Sequence, residues 1–290
     1  MRENKMHYDL KNVHYVPGRI QSDGTIIYSK PVRIPGAMSM DISAEGETTK
    51  IRADGIDYIV NTSNNGYAGS ITFVKVPDNF RRDCLAEKID AVNGIQYEDA
   101  NAEPNPFALI FEFLGDVKST RHILYNNIAT RIPFVAENKD NQKEPDTEEM
   151  EITSSPAVFN IDGEQRSIVK ASTNADTPQE VYAKWYSKVF VPETSDVDTS
   201  LKTLEIDSLV FNPAYNKDIH VYTATATEET NTITASATNE NANIEITVND
   251  AAVLNGGTVT WKNGINIVVV TVMSGHMYDE YVIEVLKEVA

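Results

Sequence analysis

The chain has 290 residues, of which 41% are hydrophobic, 23% charged and 8% aromatic. This composition excludes a wholly disordered chain, a collagen and a disulfide-rich scaffold, and it leaves enough apolar mass for one large or two ordinary cores. The 25 basic and 43 acidic residues give a net charge of −18, which argues against a basic groove that binds nucleic acid.

The cysteine content and the N-terminus bear on the cellular compartment. Cys84 is the single cysteine and lies in a stretch of helical apolar periodicity, so we interpret it as a buried apolar side chain rather than a reactive thiol. The N-terminal MRENKMHYDL lacks the apolar core of a signal peptide, and no window long enough for a bilayer is free of charge. We therefore expect a soluble protein that folds in a cytoplasm.

A change in composition after Pro192 predicts a domain boundary near residue 196, because PETSDVDTS has no apolar periodicity and has the residue types of a linker. We predict domains at 1–195 and 196–290. The second is predicted to be an immunoglobulin-like, seven-stranded β-sandwich, in which the run from Ile267 to Val270 is a strand buried on both faces. The predicted strands are 206–211, 220–226, 232–237, 243–248, 258–261, 265–272 and 278–286.

The first domain is also predicted to be mainly β. The predicted strands are 38–42, 58–60, 70–76, 107–114, 122–128, 131–135, 151–152 and 158–161. Two helices are predicted to interrupt them. The first follows an N-cap at Asp78 and has an apolar face of Phe80, Cys84, Leu85 and Ile89. The second begins at the capping box Thr177-Pro178-Gln179-Glu180 and continues over Val181, Trp185 and Val189.

Two segments look extended and unable to bury much surface. The first 12 residues mix charged and apolar types, and residues 43–69 are long for a connection inside a compact domain. We predict a free N-terminal arm and a long hairpin-like loop. Segments of this kind are what a subunit uses to reach its neighbours in an assembly.

No local motif in the sequence indicates catalysis. The five histidines lie in no recognisable setting, and there is no nucleophile elbow, phosphate-binding loop or zinc motif. His276, near Asp279 and Glu280, is interpreted as part of a hairpin turn at Ser274-Gly275-His276. We expect no enzyme and no cofactor, and a β-rich hydrolase remains an alternative.

The acidic and aromatic clusters have ordinary structural interpretations. Metal binding is not predicted, because the sequence around these acids lacks the alternating acidic positions and the fixed glycine of a calcium-binding loop. The acids are expected to be solvated. Trp185 and Trp261 are interpreted as core anchors. Arg81 and Arg82, on the polar side of the first helix, could pair with a neighbouring subunit or face water. The acids considered as calcium ligands are Glu144, Asp146, Glu148, Glu149 and Glu151, and, at the linker, Glu193, Asp196 and Asp198.

The stretch from Lys50 to Leu85 resembles the major tail (tail tube) proteins of long-tailed phages of Gram-positive bacteria. The matching features are the turn at Ala53-Asp54-Gly55, Tyr58 in an aromatic strand, the Gly66 and Gly69 step into a strand, and the helix after Asp78. The stretches 107–135 and 177–191 are similar to later strands and a helix of that family. The likeness covers most of residues 1–192.

The C-terminal piece resembles the cadherin-like β-sandwich family. Its matching residues include the Pro213-Ala214-Tyr215 step, the Gly264-Ile265-Asn266 turn and the strand Tyr281-Val282-Ile283-Glu284-Val285. The usual Asp-Gly hairpin before the last strand is Ser274-Gly275 here, and Gly275 keeps the backbone freedom that a tight turn needs.

The resemblance implies a structural protein of the virion of a siphophage, assembled in the host cytoplasm. Its subunits would form hexameric rings that stack into the viral tail tube, the conduit for genome ejection. Each subunit would be a β-sandwich or barrel with a flanking helix, and its strands would contribute to a continuous inner barrel of the tube. The arm and the loop would bridge subunits, and the acidic balance would let DNA slide without specific binding. The predicted subunit-interface candidates are Tyr8, Leu10, Ile51, Arg52, Asp54, Tyr58, Arg81 and Arg82.

The resemblance also implies partners. They are other copies of the chain, the tail tip or initiator complex, and the tape measure and tail terminator proteins, with a possible host surface glycan for the C-terminal domain. Two alternatives remain open. One is a secreted or surface module that binds carbohydrate or protein, and the other is the inner tube of a contractile tail-like particle.

Overall fold

The computed structural model describes residues 4–90, 92–115, 117–136, 146–161, 164–192 and 197–288. The chain divides into two compact units, Met1–Glu193 and Thr194–Ala290, which we call unit 1 and unit 2. None of the helices in these described ranges is long and apolar enough to span a membrane.

Unit 1 is built mainly of strands, which confirms the predicted fold class. Its strands are β1 (His7–Ile20), β2 (Ile26–Tyr28), β3 (Val32–Arg33), β4 (Ala37–Glu45), β5 (Thr48–Ala53), β6 (Ile56–Thr62), β7 (Gly66–Phe73), β8 (Lys88–Ile89), β9 (Gln96–Tyr97), β10 (Phe107–Gly115), β11 (Thr120–Ala129), β12 (Glu148–Ser155), β13 (Ala157–Ile161), β14 (Glu164–Ile168) and β15 (Lys170–Ser172). Its helices are α1 (Asp78–Leu85) and α2 (Gln179–Ala183).

The main sheet of unit 1 is antiparallel in the order β2-β1-β10-β11-β12-β7-β4, with β3 beside β1 and β15 beside β11. Among the described residues, no ladder joins β4 to β2. Three hairpins, β5-β6, β8-β9 and β13-β14, stand apart from these ladders. The strand predicted at 131–135 is irregular chain.

The core of unit 1 packs α1 against the sheet. Phe80 and Cys84 of α1 are fully buried, and Phe80 contacts Tyr15 of β1 and Phe107 of β10 edge to face. Residues Phe107 to Phe111 are all buried, which explains why β10 is apolar at successive positions instead of alternating. Burial also raises the pKa of the Cys84 thiol, so the prediction of a buried structural cysteine is confirmed.

The prediction of a free arm over the first 12 residues is wrong, because the chain enters strand β1 at His7. Register shifts between His7 and Leu10 and between Lys11 and His14 insert two bulges into the β1-β10 ladder. Each bulge breaks the two-residue alternation, and for this reason the strand was not visible in the sequence. Asn4 anchors the segment before β1, since its Oδ1 accepts hydrogen bonds from the amides of Val117 and Lys118.

Both helices are shorter than predicted. Pro77, not Asp78, occupies the N-cap of α1, and Ile89 lies beyond the helix in β8, where it is exposed. Helix α2 has five residues and ends at Ala183. Thr177 does not cap it, because its Oγ1 pairs with Asn174.

Two side chains predicted to lie on α2 are buried beyond its end. Trp185 stacks on Phe190, with ring centroids 5.4 Å apart. Trp185 is 5% exposed and Val189 is fully buried, so the prediction of Trp185 as a core anchor is confirmed.

Unit 2 is a sandwich of two sheets. Its strands are β16 (Leu201–Ile206), β17 (Val221–Ala226), β18 (Thr230–Ala237), β19 (Asn243–Val248), β20 (Ala251–Val253), β21 (Thr258–Thr260), β22 (Gly264–Ser274) and β23 (Met277–Lys287). One sheet has the order β20-β19-β22-β23-β17 and the other the order β16-β18-β21. Side chains from both sheets form one core, which confirms the predicted sandwich.

Three details of unit 2 differ from the prediction. The first strand is 201–206 rather than 206–211, and the short strand β20 was not predicted. Ile267 is 38% exposed, so β22 is not buried on both faces within the described residues.

The predicted turn is confirmed: Ser274 pairs with Met277, and Gly275 has a φ of 58°. Trp261 is buried as predicted, and its Nε1 donates to Asn231 Oδ1 over 2.6 Å.

Candidate assembly surface

Strands β5 and β6 form a two-stranded ribbon, which we call the 48–62 hairpin. Nearly every residue of both strands is exposed. Ala53 pairs with Ile56, so Asp54 and Gly55 form a two-residue loop with φ values of 53° and 81°, as the predicted turn requires. The backbone amides of Ser63 and Asn65 donate hydrogen bonds to Glu47 O and Glu45 O, so the ribbon continues the β4-β7 ladder outward.

The two faces of the 48–62 hairpin differ in character. Ile51 pairs with Ile59, and both belong to an apolar face that continues to the Ala53–Ile56 pair. Their exposed fractions are 52% for Ile51, 42% for Ile59 and 62% for Ile56. Tyr58, the extra residue of a bulge in β6, is 67% exposed.

The opposite face of the 48–62 hairpin carries charged side chains and the exposed Val60, which pairs with Lys50. Lys50 Nζ and Arg52 Nε lie 3.2 and 3.4 Å from the carboxylate of Asp57. The Asp57 carboxylate therefore forms ion pairs with two cations, and both basic side chains are more than half exposed. The hairpin thus brings together four of the predicted interface candidates, Ile51, Arg52, Asp54 and Tyr58.

Tyr8 and Leu10, the predicted candidates of the arm, lie instead on a sheet edge. Residues 7–12 of β1 pair with β10 on one side, and none of the ladders in the described part of the chain lies on their other side. Tyr8 is 53% exposed, whereas Leu10 packs partly against the core. An open edge can pair with another chain, and the two bulges limit which strand fits.

Arg81 and Arg82 do not extend from the polar side of α1 toward a neighbour. Arg81 Nη2 lies 3.2 Å from Glu148 Oε1, and the Arg81 side chain is 13% exposed. Glu148 also accepts a hydrogen bond from the amide of Val76, which ties the start of α1 to β12. Arg82 donates to Gln96 Oε1 over 3.3 Å. Both arginines therefore make contacts within unit 1, and their role at a subunit interface stays a prediction.

A buried ionic cluster, missed in the sequence, holds α2 against the sheet. Glu112 Oε2 accepts hydrogen bonds from Arg121 Nε and from the Tyr186 hydroxyl, both over 3.0 Å, and Oε1 accepts one from Asn12 over 2.7 Å. The Arg121 guanidinium lies over the ring of Tyr182 at 3.8 Å and donates to the carbonyl of that residue. The glutamate and arginine are one strand apart in sequence, and nothing local marks them as partners.

The outer face of β4, β7 and β12 is polar and acidic. Asp41, Ser70 and Glu151 are in register across the three strands, and Glu149 lies beside Thr72 in a neighbouring row. The three carboxylates are exposed and line a shallow depression. Gly66 and Gly69 of β7 permit this packing, because a Cβ there would lie 1.8 Å from Ser154 O and 2.0 Å from Asp41 O. This role agrees with the predicted glycine step.

A second group of exposed apolar residues, not predicted from the sequence, lies around the β8-β9 hairpin. Arg131 forms an ion pair with Glu98 and donates a hydrogen bond to Ala100 O. These contacts join this hairpin to the chain before residue 136. Val92 at the hairpin tip is 88% exposed and Phe134 is fully exposed. Ile89 and Tyr97 project from opposite faces of the hairpin, because Ile89 pairs with Gln96 and Tyr97 with Lys88. The exposed apolar residues of this region are Ile89, Val92, Ile95, Tyr97, Phe134 and Val135.

His122 lies beside a cleft and lacks a hydrogen bond at Nε2 among the described residues. Burial, with help from His7 and Lys170, lowers its pKa from 6.5 to about 4. Its ring stacks on Phe111, with centroids 5.2 Å apart. The pKa of His122 is lower in the folded state than in the unfolded chain, so the neutral ring contributes stability above pH 6.5. This contribution is lost as pH falls toward 4.

His122→Phe should therefore remove part of the acid sensitivity of unit 1. We expect the variant to lose about 2 kcal/mol less stability than the unsubstituted chain between pH 7.5 and pH 4.5, after discounting for partial exposure. Urea unfolding followed by Trp185 fluorescence, in a Trp261→Phe background, reports on unit 1 alone. An equal loss of stability in both proteins would contradict the assignment.

Those acidic residues considered for calcium that the structure describes do not converge on one site. Among the described residues no group of three or more histidine, cysteine, aspartate or glutamate side chains could hold a metal ion. Asp198 Oδ1 accepts hydrogen bonds from the amide and hydroxyl of Ser200, which lower its pKa against the effect of burial. Glu144, Glu193 and Asp196 lie outside the described residues.

A histidine–carboxylate pair that the sequence did not reveal joins His220 to Asp279 of β23. Asp279 Oδ2 lies 2.8 Å from Nε2 of His220, not of His276, and the His220 ring stacks on Tyr281 at 4.6 Å. His276 occupies the predicted turn and is 8% exposed. This arrangement anchors strand β23 through side-chain packing.

Unit 2 has the architecture of a small all-β sandwich domain. Residues 188–288 match the family described as the cadherin-like beta sandwich domain. The C-terminal part of the chain is therefore a cadherin-like β-sandwich, as predicted, and the matched segment does not include strands β1 to β15. A comparison with curated proteins found no match.

Proposed function

We propose that this chain is a structural subunit of the tail tube of a long-tailed phage. Unit 1 assembles as stacked hexameric rings, and unit 2 decorates the outside of the tube. The observation that carries the proposal is the 48–62 hairpin, which exposes Ile51, Ile56, Tyr58 and Ile59 together on a ribbon without a core of its own. Exposed apolar groups of this kind mark a protein interaction site.

The edges of the main sheet support assembly into a continuous barrel. Strand β4 ends the ladder on one side, and residues 7–12 of β1 are open on the other. Pairing of β4 with β1 of the next copy would satisfy both edges and carry the sheet around a ring. Tyr8 and Leu10 would then lie at the subunit boundary.

The acidic outer face of β4, β7 and β12 supports the role as a DNA conduit. Asp41, Glu149 and Glu151 would line the lumen of such a ring, and the matched rows of these strands carry serine and threonine rather than basic residues. Carboxylates repel phosphate, so DNA would pass without specific binding.

The remaining parts of the proposal concern location and partners. The tube would belong to the virion and would be assembled in the cytoplasm of the host. It would contact the tail tip or initiator complex, the tape measure protein and the terminator, and unit 2 could contact a host glycan weakly. A decorated tube favours a non-contractile tail over the inner tube of a contractile particle, because a sheath would collide with unit 2.

The test is negative-stain electron microscopy of the full-length chain across a concentration series, with light scattering on the same samples. We expect rings or tubes of uniform width, and we expect a chain ending at residue 192 to form them as well, since unit 1 has its own core. A monomer that also fails to grow on a tail-tip complex would overturn the proposal.

A further inference from the structure

The chain contains four asparagines that are followed by glycine, a pair in which the next backbone nitrogen can attack the asparagine side chain. Glycine allows this attack because it has no side chain to shield its nitrogen. We propose that one pair, Asn263-Gly264 in unit 2, is a site of spontaneous deamidation. The four pairs are Asn65-Gly66, Asn93-Gly94, Asn255-Gly256 and Asn263-Gly264.

The pair Asn255-Gly256 is restrained at both atoms that must react. Asn255 Nδ2 donates to Ala235 O over 2.8 Å, and its Oδ1 accepts from the amide of the same residue over 3.0 Å. The Gly256 amide donates to Ile233 O over 2.8 Å. Reaction there would break all three hydrogen bonds.

Two further pairs are also restrained. Asn93 Nδ2 donates to Asp90 Oδ2 over 2.6 Å, and the Gly94 amide donates to Asp90 O over 2.8 Å. The amide of Gly66 donates to Asn64 Oδ1 over 3.2 Å, and Gly66 itself is buried. Hydrogen bonds or burial therefore oppose the attack at these pairs.

The side chain of Asn263 is exposed and makes no hydrogen bond to the described part of the chain. Gly264 begins β22 and pairs with Lys287, the last residue of β23. Its amide therefore lies at the end of a ladder, where backbone hydrogen bonds open most readily. A Cβ on Gly264 would meet no atom within 4 Å, so the side of the chain next to this nitrogen is open.

The reaction needs only water and a solvent base. The base removes the proton of the Gly264 amide, and the nitrogen attacks Asn263 Cγ. A bond forms between the nitrogen and Cγ, the bond from Cγ to Nδ2 breaks, and ammonia leaves with a proton from solvent. Water then opens the five-membered succinimide. Opening at Cγ gives aspartate, and opening at the main-chain carbonyl carbon gives isoaspartate.

Isoaspartate would disturb a buried hydrogen-bond network. Asn266 is fully buried, and its Nδ2 donates to Lys262 O over 2.8 Å and to Gly264 O over 3.2 Å. Isoaspartate adds one methylene to the main chain between these two carbonyl groups. The single Asn266 carboxamide could then no longer hold both, and we expect unit 2 to lose stability.

Peptide mass spectrometry after incubation at pH 8.5 tests the site. In the folded full-length chain, we expect Asn263 to gain one dalton at least fivefold faster than each of the other three asparagines. In urea, where the fold no longer protects any pair, the four rates should be similar. Asn263→Gln should abolish the change in its peptide. A rate at Asn263 no greater than that at Asn93 or Asn255 in the folded chain would overturn the proposal.

A second measurement tests the structural consequence. The matched control is Asn263→Asp, which has the new charge without the added methylene. We expect the isoaspartate form, separated by chromatography, to unfold at a lower urea concentration than this control. Trp261 fluorescence in a Trp185→Phe background reports on unit 2. Equal stability of the two proteins would overturn the predicted loss of the Asn266 hydrogen bonds.

Discussion

Replacing Ile51, Tyr58 and Ile59 with serine should raise the concentration needed for assembly at least 100-fold. These three side chains are between 42% and 67% exposed in the single chain, and their burial between copies would contribute about 1 kcal/mol or more each. The fold of unit 1 should persist, because the 48–62 hairpin lies outside its core. Light scattering across a dilution series measures the assembly threshold.

A matched triple serine variant of unit 2 provides the control. Val210, Val221 and Leu254 are 85%, 65% and 83% exposed, so three exposed apolar side chains are likewise replaced by serine away from the hairpin. We expect its assembly threshold to equal that of the unsubstituted chain. If the hairpin variant assembled at the same concentration as this control, the hairpin would not be an assembly surface.

Arg121→Ala should reduce the free energy of unfolding of unit 1 by about 3–5 kcal/mol, because it leaves the Glu112 carboxylate buried without its cation. The Glu112 side chain is 7% exposed, and its Oε2 lies 3.0 Å from Arg121 Nε. The substitution also removes the cation from the ring of Tyr182 and releases α2. Urea unfolding followed by Trp185 fluorescence in the Trp261→Phe background measures the loss.

Two further variants give this experiment its controls. Arg166→Ala removes an arginine whose contact with Glu164 is solvent-exposed, with a separation of 3.7 Å, and should cost less than about 1 kcal/mol. Arg121→Met combined with Glu112→Leu should recover much of the lost stability, because no buried charge remains. Equal effects of Arg121→Ala and Arg166→Ala would show that the cluster is not a stabilising element.

The 48–62 hairpin illustrates what a local pattern can predict. The Ala53-Asp54-Gly55 turn follows from the need for positive φ at two successive residues, and the structure has φ values of 53° and 81° there. The segment therefore looked like a hairpin before its surroundings were known. That its apolar residues are exposed in the described part of the chain depends on where the other strands lie, which no local pattern contains.

Strand β1 and the two arginines illustrate what a local pattern conceals. Two bulges shift the register of β1 against β10 and disturb its alternation, so a strand on the main sheet had the appearance of a free arm. Arg81 looked like a surface residue because it lies on the polar side of a short helix. Its carboxylate partner, Glu148, comes from a strand 67 residues later.

The amino-acid sequence by itself determined the mainly β class, the sandwich of unit 2, the turns at Gly55 and Gly275 and the burial of Cys84, Trp185 and Trp261. Each depends on interactions between near neighbours or on side-chain hydrophobicity, which a single stretch of chain reveals. Tertiary structure decided the acidic row of Asp41 and Glu151 and the Glu112–Arg121 cluster. Each of these joins segments that are distant in sequence, so it exists only after strand order and register have brought them together.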